Sequence, residues 1–227
     1  MARLTKSVLG EIKGKIGNLV IRKINGKEFI SLRPAKYRKT KKEVPARQKM
    51  RNAVRFSRIV NSDDVLKQIW GKSEIKATNS FQKLIKHTLE NALPGRLTLK
   101  NKITPGGTSF SFSEFLFEKG ELNVSIKNRG KGIRCITGNN FSVYVLFCFY
   151  EPIVKKIVSS KLELIYKEFH GGVTENNFLF KYNVQKLNNN ELKNYNKCII
   201  YFAIVGHKTN TNTLNYSDTI SKEFILR

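Results

Sequence analysis

Arg47, Arg51, Arg55 and Arg58 recur at steps of 4, 4 and 3 residues. On a helix those steps bring four guanidinium groups onto one stripe. Each guanidinium stays charged and presents a planar fork of donors that matches phosphate or carboxylate oxygens. Like charges at this spacing repel by about a few tenths of a kcal/mol per pair. No acidic residue lies between Pro45 and Asn61 to relieve them. The chemistry this pattern supports is the binding of a polyanion. Bond-making chemistry finds little material. His87, His170 and His207 are scattered, as are Cys135, Cys148 and Cys198, and neither set has metal-ligand spacing. There is no G-x-S-x-G nucleophile motif. The stretch GEIKGKI, with Gly10, Gly14 and Lys15, is one residue short of a phosphate-binding loop, and Ile16 stands where Ser or Thr is needed. The residues point to no enzyme, no cofactor and no metal.

The charge of the whole chain agrees with the stripe. Its 227 residues carry 42 Lys and Arg against 17 Asp and Glu, a net charge of +25. Self-repulsion of that size opposes a compact state unless an anionic partner offsets it. The charge is uneven: residues 1–60 hold 18 basic and 3 acidic residues, and residues 101–227 hold 17 and 10. Codon bias toward Lys would spread the charge evenly, so the concentration marks a binding surface. An apolar fraction of 40% with 15 Phe and 8 Tyr is that of a folding chain. The unpaired count of cysteines reads as buried thiols in a reducing compartment. No apolar run opens the chain as a signal peptide would, and none reaches the length of a membrane span.

The stripe must be held by elements. Residues 18–33 read as a β-hairpin about Asn25-Gly26, the favoured pair for a type I′ turn. A two-residue turn sets Ile24 opposite Lys27, Lys23 opposite Glu28, Ile21 opposite Ile30 and Leu19 opposite Leu32. One face is then apolar, with a Lys23–Glu28 pair. The other carries Arg22, Lys27 and Arg33 beside Val20 and Phe29. Residues 34–43 form a basic linker that includes Arg38, Lys39, Lys41 and Lys42. Pro45 opens a helix whose apolar side is Met50, Ala53, Val54 and Val60. Ser62 caps a second helix that ends at Gly71 and places Trp70 in the core. A third runs from about Ser80 to Leu93 with Phe81, Leu84, Ile85, Leu89 and Ala92 buried, and Pro94-Gly95 ends it.

Beyond Gly95 the pattern changes to period two. Strands are predicted at 97–103, 108–117, 121–127, 132–137, 141–150, 160–168, 178–187, 197–206 and 218–226, with the unbroken run at Phe141–Tyr150 buried. Phe110, Phe112, Phe115 and Phe117 fill a core or an interface. The loop 128–132 is a small basic tip.

The stretch GEIKGKIGNLVIRKINGKEFISLRP, followed by Thr40, Gln48-Lys49-Met50-Arg51 and Phe56, resembles a family of small basic proteins of unknown function from Bacteroidota and their mobile elements. The resemblance rests on Gly10, Gly14, Gly17, Gly26, Arg33, Pro34, Gln48 and Arg51. It covers residues 10–60 well, extends weakly through Trp70 and Phe81, and is only architectural in the β region. It implies a helical segment followed by an immunoglobulin-like β-sandwich, and no known activity.

The expected fold class is therefore α+β. A basic hairpin and helical region over 1–95 would precede an antiparallel immunoglobulin-like sandwich over 96–227. The expected function is non-enzymatic binding of the nucleic-acid phosphate backbone, DNA or RNA, without sequence preference and within a larger assembly. The contacts would come from Arg22, Lys27, Arg33, Arg38, Lys39, Lys41, Lys42, Arg47, Arg51, Arg55 and Arg58. The alternative is a ring, neck or tail subunit of a phage particle whose basic arm meets DNA or an acidic neighbour. Partners are nucleic acid and other subunits, not a membrane; the setting is the cytoplasm or a phage particle.

Overall fold

The computed structural model describes residues 2–4, 14–33, 43–110, 112–127, 140–153, 160–170, 177–184, 194–207 and 214–226. The chain forms two compact units, 1–41 and 42–227. The helices expected with the hairpin in 1–95 thus share a unit with the strands. The predicted strand at 132–137 and the basic tip at 128–132 lie outside the described residues.

The first unit is a four-stranded antiparallel sheet: β1 (Ala2–Leu4), β2 (Gly14–Ile16), β3 (Leu19–Ile24) and β4 (Lys27–Leu32), in the order β1-β4-β3-β2. The β3–β4 register is the one the Asn25-Gly26 turn dictates, Leu19 to Leu32 through Ile24 to Lys27. Asn25 and Gly26 both take positive φ, 51° and 76°, as a type I′ turn requires. A second two-residue turn at Gly17-Asn18 adds β2, and β1 closes the far side of β4. The expected apolar face is only partly covered. Ile21 is buried and Ile30 half-buried, but Leu19 and Leu32, paired at the outer end of the hairpin, are 40% and 74% exposed. Val20, on the opposite face, is buried.

The second unit is layered. Among the described residues, three helices, α1 (Glu43–Asn61), α2 (Asp64–Gly71) and α3 (Ser80–Asn91), precede eight strands. These are β5 (Phe112–Glu118), β6 (Glu121–Lys127), β7 (Asn140–Pro152), β8 (Ser160–His170), β9 (Asn177–Asn183), β10 (Tyr195–His207), β11 (Asn215–Tyr216) and β12 (Ile220–Ile225). One sheet runs β11-β10-β7-β8, with β12 also on β10, and the other β5-β6-β9; all these strand pairs are antiparallel.

β7 and β10 hold the layers together. Every residue from Phe141 to Tyr150 is buried. Phe141, Val143, Val145, Phe147 and Phe149 face the β5-β6-β9 sheet, meeting Phe117, Val124, Ile126, Phe178 and Phe180. Tyr144, Leu146, Cys148 and Tyr150 face the helices, meeting Phe56, Val60, Leu66, Trp70 and Leu84. The α+β class stands. The helices are one of the layers that bury the sheet.

Local chemistry explains where elements depart from the sequence pattern. Residues 97–103 form no strand. The Asn101 side chain accepts from the Thr98 N–H and donates to the Thr88 carbonyl. The Thr98 carbonyl accepts from the Tyr201 hydroxyl, so side chains satisfy backbone that a ladder would use. The cap of α2 is Asp63, whose carboxylate accepts from the Leu66 N–H; the Ser62 hydroxyl donates back to Ile59. On α1, Met50 is 44% exposed, and Phe56 fills the core in its place. On α3, Leu84 and Ala92 are buried, whereas Phe81, Ile85 and Leu89 are half-buried. A register shift between Phe112 and Glu114 lets Phe112 share a face with Phe115, their rings stacked at 5.8 Å.

The segment 92–110 straps helices to sheet. Trp70 Nε1 donates to the Ile103 carbonyl, and the Thr219 hydroxyl accepts from the N–H groups of Ile103 and Thr104. Gly107, at φ +132°, runs so close to Tyr216 that a Cβ would sit 2.3 Å from its carbonyl oxygen. Gly106, at φ +138°, has open space around it. Gly107→Ala therefore combines backbone strain with a clash against backbone, and Gly106→Ala carries the strain alone, about 1–3 kcal/mol. In thermal unfolding, Gly107→Ala is expected to lower the midpoint clearly more than Gly106→Ala. Equal midpoints would contradict this packing of the strap.

Candidate nucleic-acid interface

α1 positions its arginines by what it buries. Asn52, Ala53, Phe56, Ser57 and Val60 are buried against the rest of the unit. At 3.6 residues per turn, the opposite side carries the arginine stripe. Arg47, Arg51 and Arg58 are exposed. Arg55 lies at the edge of the stripe, half-buried, and its Nη1 donates to the Ser160 hydroxyl on β8 at 3.5 Å. Arg55 therefore ties helix to sheet, and three arginines face outward.

The helix begins at Glu43, two residues before Pro45. Glu43 is one turn below Arg47, and their charged groups lie 3.9 Å apart. The side chains are 38% and 46% exposed, so this pair contributes only about 0.3–0.5 kcal/mol. Glu43 at the helix start and Arg58 in the last turn both complement the helix dipole.

The N-terminal sheet carries a second basic surface. Alternation places Arg22, Lys27 and Arg33 on one face, and all three are exposed. Lys15, opposite Val20 on β2, joins that face and is also exposed. Lys15 was not among the expected contacts, because its place depends on the Gly17-Asn18 turn that pairs β2 with β3. Arg38, Lys39, Lys41 and Lys42 lie outside the described residues. The eleven expected contacts thus include two separate described groups, one on α1 and one on the sheet.

No family model, no curated protein and no solved structure matches this chain.

A cleft of about 510 Å³ opens among Lys49, Glu90, Arg96, Lys100, Ile199 and Glu223. Its cations and carboxylates are interleaved, which favours no single charge of ligand. Cys148 and Cys198 are buried and free, and burial pushes the Cys148 thiol up to about 12. A thiol so held is a poor nucleophile. Cys135 lies outside the described residues. No group of three potential metal ligands gathers among the described residues.

His87 sits on α3 with its ring 5.5 Å from Trp70. Its Nδ1 is buried without a hydrogen-bond partner. Burial lowers its pKa from 6.5, and Lys102 adds to this; Glu90 and Asp218 act in the opposite sense. Lys102 is itself paired with Asp218 at 2.8 Å. A histidine depressed in the folded state stabilises the fold above 6.5 and loses that contribution as the pH falls toward its folded value, because the unfolded chain takes the proton first. His87→Gln is therefore expected to flatten the fall in melting temperature just below pH 6.5. An unchanged slope in that window would show that His87 is not buried in its neutral form.

Proposed function

We propose that this protein is a non-enzymatic, sequence-independent binder of the nucleic-acid phosphate backbone, acting within a larger assembly. The observation that carries the reading is α1: Arg47, Arg51 and Arg58 project outward from one helix, its single acid, Glu43, is paired with Arg47, and no acid of the helix lies one turn from Arg51 or Arg58. A helix that only faced solvent would interleave acids at one-turn spacing to relieve its cations. The net charge of +25 and the basic face of the N-terminal sheet support the same reading. Contacts of this kind position a protein on the backbone and do not read bases. The setting consistent with this role is the cytoplasm or a phage particle, and kinship with the Bacteroidota family belongs to the same proposal.

A second reading, a ring, neck or tail subunit of a phage particle, draws support from the sheet orders. The sheets β5-β6-β9 and β11-β10-β7-β8, with β12 also on β10, support it, since an immunoglobulin-like sandwich likewise packs two antiparallel sheets face to face. In that setting the basic surfaces would meet DNA or an acidic neighbouring subunit.

The test is a salt titration of binding to a random DNA duplex and a random RNA, with wild type beside Arg51→Ala/Arg58→Ala. Each phosphate contact contributes about 0.9 to the log–log slope on duplex DNA. The double variant should lose about two units of slope on every sequence. Equal slopes would remove α1 from the interface. Absence of binding at low salt would leave the assembly-subunit reading, with acidic protein as the counter-surface.

A further inference from the structure

We propose that the basic face of the N-terminal sheet selects single-stranded nucleic acid, with Phe29 as a stacking platform for one unpaired base. The proposal rests on the polyanion reading above and adds the strand state of the ligand.

The placement of Phe29 carries the argument. Strand alternation sorts most side chains by face, although Lys23 and Glu28 share the apolar side and Val20 and Ile24 the basic one. Ile16, Leu19, Ile21, Ile30 and Leu32 share one face, since Ile16 pairs with Leu19, Leu19 with Leu32 and Ile21 with Ile30. Phe29 lies on the other, among Lys15, Arg22, Lys27 and Arg33, and remains partly exposed. Arg22 is directly opposite it on β3, and Arg3 occupies the flanking register position on β1. Directly paired residues have Cβ atoms about 4.5–5.5 Å apart, so Arg22 borders the ring along the sheet.

That combination fits single strands. Every base offers a π-face, so an aromatic ring binds an unpaired base without sequence preference, and flanking cations follow the phosphates. A duplex keeps its base faces inside its own stack. Against a duplex the ring would meet sugar and phosphate, and would gain nothing for losing its water. The aromatic therefore favours the single strand, and the cations serve either form.

The experiment uses the full chain and fluorescence anisotropy with labelled oligonucleotides of about 12 nucleotides, within the usual site sizes for such surfaces. The probes are oligo-dT, oligo-U and a mixed-sequence duplex. Wild type should bind the single strands more tightly than the duplex. Phe29→Leu should weaken single-strand binding about tenfold, with duplex affinity and the salt slope unchanged. Phe29→Trp should retain or strengthen single-strand binding, which separates stacking from a packing role. Arg22→Ala/Lys27→Ala should weaken all probes and reduce the salt slope. Circular dichroism melts of each variant verify that the fold persists. The proposal is overturned if Phe29→Leu binds single strands like wild type, or if it weakens every probe alike and Phe29→Trp does the same. A neutral Phe29→Leu combined with a reduced slope in the α1 variant would remove this inference and keep the backbone-binding function. Absence of binding by any probe would remove both.

Discussion

The second unit depends on one constraint: β7 and β10 are buried on both faces. A strand in the middle of a sheet has its backbone satisfied by its neighbours, but each of its faces must be covered by a different layer. Here the β5-β6-β9 sheet covers one face and the three helices cover the other. Each layer is fixed by the same two strands. The side chains divide accordingly. The face between the sheets is rich in phenylalanine, with Phe117, Phe147, Phe180, Phe202 and Phe224 in mutual edge or tilted contact. The face toward the helices carries Tyr144, Tyr150 and Tyr201, and two of the three hydroxyls find polar partners from a helix end and the strap. Tyr201 donates to the Thr98 carbonyl, and Tyr144 bonds Asp63 at the cap of α2. A buried hydroxyl without such a partner is costly.

This burial is also what aims the arginines. α1 turns Ala53, Phe56 and Val60 inward, and helical geometry leaves Arg47, Arg51 and Arg58 facing out. Arg55, at the boundary, hydrogen-bonds Ser160 and so resists rotation of the helix about its axis. The strap from 92 to 110 completes the frame, with Trp70, Thr104 and Thr219 tying helix and strand chemistry together. The N-terminal unit repeats the logic in a smaller form. Its strands alternate, so Lys15, Arg22, Lys27 and Arg33 gather on one face and most of the aliphatic groups on the other. In both units, where the apolar groups go decides where the charge is displayed.

Much of this was legible in the residues. The Asn25-Gly26 turn sets the β3–β4 register residue by residue, because a two-residue turn leaves no other pairing. The run Phe141–Tyr150 is long, apolar and rich in aromatic and β-branched residues, which marks a buried strand. The arginine steps of 4, 4 and 3 put four cations on one stripe. Other features were hidden. Residues 97–103 carry a strand-like pattern, yet bonds from Asn101 and Tyr201 hold that backbone in turns. Met50 is exposed where helical spacing places it inward, and Phe56 fills the core with its ring edge-on to Tyr201 at 5.8 Å.

By itself, then, the sequence determined what local physics controls: the turn at Asn25-Gly26, the two-faced alternation of its strands, the period of the helices and the displayed charge of +25. Tertiary structure decided what depends on a second surface. It made the helices a third layer, because an unbroken apolar strand does not specify what covers each face. It drew Arg55 away from the stripe and toward Ser160, because that partner lies 105 residues away on another element. It paired β1 and β2 with the central hairpin and so brought Lys15 onto the basic face of the N-terminal sheet, because register across four strands is a property of their pairing.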